Sequence, residues 1–157
     1  MKETSLIVIR SEEIYKKVLF YFEEKNIFLD ENISLEGLSK LVGTNTTYLS
    51  NTINKHCGCN LHTFINTYRI HYAENLLISN ADKLLVDGKN DLKNLYKKSG
   101  FASRSAFYVA FHNIAGTSPW GYLIQYKKKE KRDQNRKEIY SLNLEESYKS
   151  FWNENLI

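Results

Sequence analysis

Apolar side chains recur every three to four residues between Gly100 and Gly116, and this spacing predicts a short amphipathic helix. Phe107 and Phe111 lie four positions apart and therefore share one helical face. Ser103 stands where an N-cap is expected, with a hydroxyl that can accept from a first-turn amide. The opposite face is polar and consists of Arg104, Ser105, Tyr108 and His112. Such a helix suits insertion into a DNA major groove, although a surface helix on a bundle has the same periodicity.

A second stretch repeats this pattern, with a glycine turn at Gly43, a capping residue at Asn45 and an apolar pair at Leu49 and Ile53. Each copy also follows a short segment with helical apolar spacing: Leu35, Leu38, Leu41 and Val42 before the first, and Leu92, Leu95 and Tyr96 before the second. Two helix-turn-helix units in one chain constitute an internal repeat.

The segments around the two units are also predicted to be helical. Residues 12–25 are amphipathic, with Ser11 as the expected cap, and Leu61–Ser79 forms a long helix between the units. Residues 1–10 contain LIVIR, which fits either a short strand or the remnant of a connection to a larger protein. The predicted fold is therefore all-α, with two helix-turn-helix subdomains joined by a long central helix.

The pattern divides the chain into three parts. Residues 1–10 are an extension, residues 11–126 are the double helix-turn-helix domain, and residues 127–157 are a tail. Within the domain, the first unit covers about 34–57, the linker helix about 61–79 and the second unit about 91–113. Residues 80–90 either extend the linker helix or form a small flap. In the tail, a capping-box pattern at Asn143 precedes an apolar stripe that folds back or binds a partner: Leu144, Tyr148, Phe151 and Trp152.

Composition permits a nucleic-acid partner. The net charge is +4, and the 42% hydrophobic content can supply a core. The basic excess is concentrated in residues 127–137, which carry seven basic and two acidic side chains. Neither a membrane span nor a signal-peptide pattern occurs, so we expect a cytoplasmic protein without a membrane partner.

Enzymatic and metal chemistry are not expected. The HCGCNLH segment, from His56 to His62, packs four ligand-type residues too closely, because zinc sites draw ligand pairs from separate segments. Two cysteines do not make a disulfide framework. No nucleophile and base occur at a catalytic spacing. We therefore predict no metal, no cofactor and no catalytic residue.

The second unit resembles the signature of the AraC/XylS family of bacterial transcription regulators. Its elements here are Gly100-Phe101, Phe107, Phe111, Gly116, Ser118-Pro119 and Tyr122. The likeness extends over about residues 12–126 and includes ISLEGLSKLVG, Gly58, Tyr68-Arg69 and Ala73. It departs at residues 80–90, where the connection is several residues longer than is usual in the family. The resemblance implies a regulator that binds double-stranded DNA.

The resemblance also implies which side chains contact bases. Asn51 is the best adenine reader, and Arg104 is the strongest guanine reader, because each can form two hydrogen bonds to one base. Val109 departs from relatives that carry a basic residue there. The complete base-contact set is Thr46, Thr47, Ser50, Asn51, Arg104, Ser105 and Tyr108.

Both recognition helices contain few Arg and Lys residues, so affinity is expected to come largely from phosphate contacts. The phosphate candidates are Asn45, Lys55, Arg69, Ser103, His112, Lys127 and Lys128. Further partners implied by the resemblance are RNA polymerase, if the protein activates transcription, and a sensory domain in a longer parent chain. The alternative is a helical module that docks a protein through its tail.

Overall fold

The computed structural model describes the backbone of residues 2–155 and the side chains of residues 10–88 and 92–146. In chain order the elements are α1 (Lys2–Glu23), a 3-10 turn (Ile27–Leu29), α2 (Leu35–Val42), α3 (Thr46–Cys57), α4 (Leu61–Ser79), α5 (Ala81–Asp87), a 3-10 segment (Lys89–Asn94), α6 (Leu95–Lys98), α7 (Arg104–Ala115) and α8 (Pro119–Asn155). The described backbone contains no strand, so the predicted all-α fold is confirmed.

Local hydrogen bonds at the helix ends explain most of these boundaries. The side chains of Ser34, Asn45 and Ser103 each accept from an amide three residues later, which satisfies a first-turn donor. Asn60 does the same for α4, at 2.9 Å from the Thr63 nitrogen. Gly43 ends α2 in the left-handed region, with φ at 76°, as predicted.

The first helix-turn-helix unit consists of α2 and α3; both pack against α1, and α3 also packs against α4. Its core is one apolar cluster, in which Val18 and Phe22 of α1 meet Leu38, Leu49 and Ile53 of the helix-turn-helix. Aromatic rings of α4 close this core, including Phe64 and Tyr68. We call α1, the 3-10 turn, α2 and α3 the first lobe, and α6 and α7 of the second helix-turn-helix unit the second lobe; α4 packs against both.

The second unit consists of α6 and α7, which both pack against α4. Phe107 and Phe111 of α7 are 1% and 0% exposed, which confirms the predicted apolar face. The Phe101 ring packs edge-on against Phe107, with centroids 5.4 Å apart. The preceding helix α6 has only four residues and is reached through the 3-10 segment, so it is shorter than its counterpart α2.

The structure differs from two expectations at the N-terminus. Residues 2–10 are the first turns of α1 rather than a strand, and Ser11 is a buried residue within that helix rather than a cap. Its hydroxyl donates to Thr52 Oγ1 at 3.5 Å and lies 3.3 Å from His56 Nε2. These partners on α3 are far away in sequence, so local pattern did not reveal them.

Two later segments also differ from expectation. Residues 81–87 form α5, a separate helix that follows α4 directly and buries Ala81 and Leu84. The C-terminal segment is one continuous helix, and Asn143 lies inside it, so the capping-box prediction there was wrong. Of the predicted apolar stripe, Leu144 is exposed, whereas Tyr148, Phe151 and Trp152 lie outside the described side chains.

Apart from its helix-turn-helix units, the chain as a whole divides into two compact units, an N-terminal one (Met1–Pro119) and a C-terminal one (Trp120–Ile157). Both helix-turn-helix units lie in the first. In the second unit Leu123 is buried, and every described side chain from 131 to 146 is exposed. No helix in the described part of the chain has an apolar stretch long enough to cross a membrane.

Candidate nucleic-acid interface

The helix α3 presents the polar edge that the sequence predicts. Leu49 and Ile53 are fully buried on its inner side. The predicted base readers Thr47 and Asn51 are exposed, and Thr46 and Ser50 are half-buried beside them. Two buried residues four apart fix the rotation of the helix about its axis, so the candidate side chains face outward together.

The helix α7 repeats this arrangement in the second unit. Arg104 and Ser105 are exposed in its first turn, and Tyr108 is half-buried one turn later. The Arg104 guanidinium carbon lies 5.5 Å from the centroid of the Tyr108 ring, within cation–π range. This stacking orders a long side chain at the position where guanine reading is predicted.

Arg10 of α1 is a candidate that the sequence reasoning missed. It is exposed, and its guanidinium carbon lies 5.6 Å from the ring centroid of Tyr48 in α3. Each unit therefore places an arginine over a tyrosine of its recognition helix. The two residues are 38 positions apart in different helices, so no local spacing could have indicated this contact.

Six of the seven phosphate candidates occupy three kinds of place. Lys55 and His112 are exposed in the last turns of α3 and α7. Asn45 and Ser103 are exposed N-caps whose oxygens already accept from their own helices. The remaining two lie on α8, where Lys128 is exposed and Lys127 forms an ion pair with Glu130.

Arg69 differs from the other phosphate candidates, because it is only 9% exposed and does not lie among the exposed cations. Its Nε donates to the carbonyl oxygen of Phe28 at 2.7 Å, and its Nη2 donates to that of Asp30 at 2.8 Å. The guanidinium carbon is 5.3 Å from the ring centroid of Phe101. Burial lowers the pKa of the Arg69 guanidinium. The residue joins α4 to elements of both lobes.

Backbone contact reinforces the same junction. The turn at Gly100 adopts φ of +81° and lies directly against the 3-10 turn of the first lobe. A Cβ at this glycine would meet the Phe28 carbonyl oxygen at 2.6 Å and the Leu29 Cα at 2.8 Å. The second unit thus docks on the same carbonyl that accepts from Arg69, which holds the two units in a defined arrangement.

The cysteine–histidine segment packs against α1. The Tyr15 hydroxyl lies 3.2 Å from Cys57 Sγ, and the His56 ring stacks on the Tyr15 ring with centroids 4.4 Å apart. The bond to Cys57 and burial raise the pKa of Tyr15, and burial raises that of Cys59. Within the described side chains, no group of three or more His, Cys, Asp and Glu residues is placed to hold a metal ion.

The helices α3 and α7 each present a polar face to solvent, and their two lobes are in contact. This arrangement defines a double helix-turn-helix protein. Residues 38–124, more than half of the chain, match the model of a helix-turn-helix domain family. The chain belongs to this AraC-type helix-turn-helix family of DNA-binding domains.

Similar proteins come from bacteria. An uncharacterized HTH-type transcriptional regulator of Staphylococcus aureus (strain COL) is 27% identical over 114 residues, which are 73% of this chain and 14% of the relative. A protein of unknown function from Listeria innocua is 28% identical, with a TM-score of 0.55 over 69% of this chain and 93% of the other. The C-terminal domain of AraT, a response regulator from Geobacillus stearothermophilus, shares the fold at 21% identity. Its TM-score is 0.50 over 76% of this chain and 84% of that domain.

Proposed function

We propose that the protein binds specific sequences of double-stranded DNA through both units and thereby regulates transcription. The observation that carries this proposal is the pairing of two capped helices, α3 and α7, each with a buried apolar face and an outward polar edge. Because α4, Arg69 and the Gly100 turn join the lobes, the two edges act as one reading surface. Successive major-groove segments lie about 34 Å apart, so one chain spans a site of roughly twenty base pairs.

Base discrimination rests on a small set of side chains. Asn51 is exposed in α3 and can form paired hydrogen bonds with adenine, whereas Arg104 in α7 can do so with guanine. The others contribute single hydrogen bonds or contact with thymine methyl groups: Thr46, Thr47, Ser50, Ser105 and Tyr108.

Affinity comes mainly from the DNA backbone. Lys55, His112 and Lys128 are exposed and can contact phosphates, and the first-turn amides of α3 and α7 add neutral donors. Arg10 joins this group on the strength of its place beside Tyr48. RNA polymerase and a sensory domain are the protein partners that such a regulator implies.

Selection of bound sequences from a random duplex pool tests the proposal directly. We expect an asymmetric site with two short determinants about one helical turn apart and one chain per site. The dissociation constant should rise steeply with salt concentration, since phosphate contacts release counterions. Recovery of no preferred sequence, together with a flat salt dependence, would refute DNA reading and favour the protein-docking alternative.

The substitution Arg104→Ala tests the strongest single assignment. We expect a loss of about 1–3 kcal/mol at one base position, with relaxed preference there, because a bidentate contact is removed. The comparison variant Lys128→Ala should weaken binding to all sequences alike and reduce the salt slope by about one. An equal loss on every sequence for Arg104→Ala would reassign Arg104 to the phosphates.

A further inference from the structure

A cleft of about 560 Å³ lies between α4 and α7, within the unit that carries both helix-turn-helix motifs. We propose that this cleft binds a small organic anion, a carboxylate or phosphate ester with an apolar body, and that the bound anion controls DNA binding. A cleft of this size suits a ligand of roughly drug-like dimensions. Its polar lining includes His62, Asn66, Arg69, Ser103 and Ser105.

The buried guanidinium of Arg69 is the main reason to expect an anion. Nε and Nη2 donate to backbone carbonyls, whereas Nη1 donates to no acceptor among the described residues. No fully enclosed side-chain nitrogen or oxygen in the described part of the chain lacks a partner, so Nη1 retains some exposed surface. The open space that Arg69 lines is the cleft. A charged donor held in place by two other bonds is preorganised to receive a carboxylate or phosphate.

Two helix N-termini open onto the same cleft. His62 and Thr63 of α4 line it from one side, and Ser103 and Ser105 line it from the other. The Asn60 and Ser103 side chains cap only the third amide of each helix, and the first-turn amides of His62 and Ser105 have no acceptor within their helices. Helix N-termini carry partial positive charge, which adds to the field of Arg69.

The rest of the lining is suited to an apolar body. Phe101 and Ala110 are buried, and Val109 and Ile114 complete this wall. Glu31 lines the cleft and is exposed, and its carboxylate, like that of Asp30, is close enough to Arg69 to favour the charged guanidinium. The charge of Glu31 opposes an anion, and this gives the test a variant that should strengthen binding.

The cleft and the predicted DNA contacts share residues, so a bound anion would control DNA binding. This part of the proposal rests on the proposed function. Ser103 and Ser105 line the cleft and also belong to the predicted DNA contacts. An anion over them would occupy the place of a phosphate or base edge and compete with DNA. By linkage, DNA should reduce the affinity for the anion by the same factor.

Binding of the anion can be measured on the full chain without DNA. Benzoate and phenyl phosphate are the probes, and the neutral benzyl alcohol is the matched control. We expect both anions to shift the amide resonances of Phe101, Ser105 and Ala106 in a saturable way, with dissociation constants of ~1–10 mM for ligands of this size. The alcohol should cause much smaller shifts. Absence of saturable shifts with both anions, or equal shifts with the alcohol, would overturn the proposal.

Three variants place the anion in the cleft. Ser105→Asp should weaken binding of both anions at least about tenfold, because it adds a carboxylate where the anionic group sits, and a helix N-terminus tolerates Asp. Glu31→Gln should strengthen binding by about two- to fivefold, the range of exposed charge pairs. Glu24→Gln removes an exposed charge that does not line the cleft and should change nothing. Equal effects of the two glutamate variants would place the anion elsewhere.

A separate experiment tests whether the anion controls DNA binding. The protein is titrated with the selected duplex with and without saturating benzoate, and the affinity for DNA is compared. A weaker affinity for DNA in benzoate than in sodium chloride of the same ionic strength, with a larger difference in Glu31→Gln, supports competition in the cleft. Unchanged DNA affinity would overturn the control of DNA binding even where the anion binds. If the protein binds neither the duplex nor the probes, both proposals are wrong. If the probes cause saturable shifts but the protein does not bind DNA, only the proposed function is wrong.

Discussion

Replacement of Gly100 by alanine tests whether the close contact between the two lobes stabilises the folded protein. The backbone there has φ of +81°, and an added Cβ would lie 2.6 Å from the Phe28 carbonyl oxygen. A left-handed alanine costs about 1–2 kcal/mol, and forcing apart packed groups costs about 1–3 kcal/mol more. The reduced entropy of the unfolded chain returns about 0.4–1 kcal/mol. We expect a net loss of about 2–4 kcal/mol in the free energy of unfolding.

Gly116→Ala is the matched control, because Gly116 has φ of +73° and nothing within 4 Å of its added Cβ. This variant carries only the conformational cost and should lose at most about 1.5 kcal/mol. Urea denaturation of both variants gives the two free energies, and their difference isolates the contact with the 3-10 turn. Equal losses would refute the inference that the second unit docks tightly on the first lobe.

Two further predictions concern stability. Ser103→Ala should lower the free energy of unfolding, measured by urea denaturation, by about 0.5–2 kcal/mol through loss of the cap on α7. Ser103→Asp keeps a side-chain acceptor and should retain stability. Equal losses in both variants would show that the cap is not what stabilises the helix. Burial and the charge of Glu23 raise the pKa of Tyr68 to about 12 from 10.0, and its hydroxyl donates to Glu23 at 3.2 Å. The folded state therefore favours the protonated phenol. The contribution of protonated Tyr68 to the free energy of unfolding is complete below pH 10 and is lost as the pH rises from about 10 to 12. Tyr68→Phe should reduce the slope of stability against pH in that window, and an unchanged slope in thermal melts would contradict the assignment.

Local chemistry made some boundaries predictable and left others hidden. The caps at Asn45 and Ser103 and the paired apolar residues of α3 and α7 act within one turn of helix, so the sequence alone locates them. Ser11 failed as a cap because its partners, Thr52 and His56, belong to another helix. A serine that bonds across a helix pair has the same local pattern as a serine that begins a helix.

The candidate site divides in the same way. Exposure of Asn51 and Arg104 follows from helical periodicity and was predictable. The place of Arg69 was not, because its acceptors are carbonyls about forty residues away and carbonyls leave no trace in side-chain pattern. The stacking of Arg10 on Tyr48 likewise depends on how two helices pack, which spacing along one helix does not encode.

The helix α1 has a consequence for where the folding unit begins. The family match starts at residue 38, yet Val18 and Phe22 of α1 are completely buried among the residues of the first lobe. A protein trimmed to the matched residues would expose Leu49, Ile53 and Phe64 to water and would be prone to aggregate. The matched residues therefore do not contain the whole hydrophobic core, and a shortened protein made for expression should retain α1.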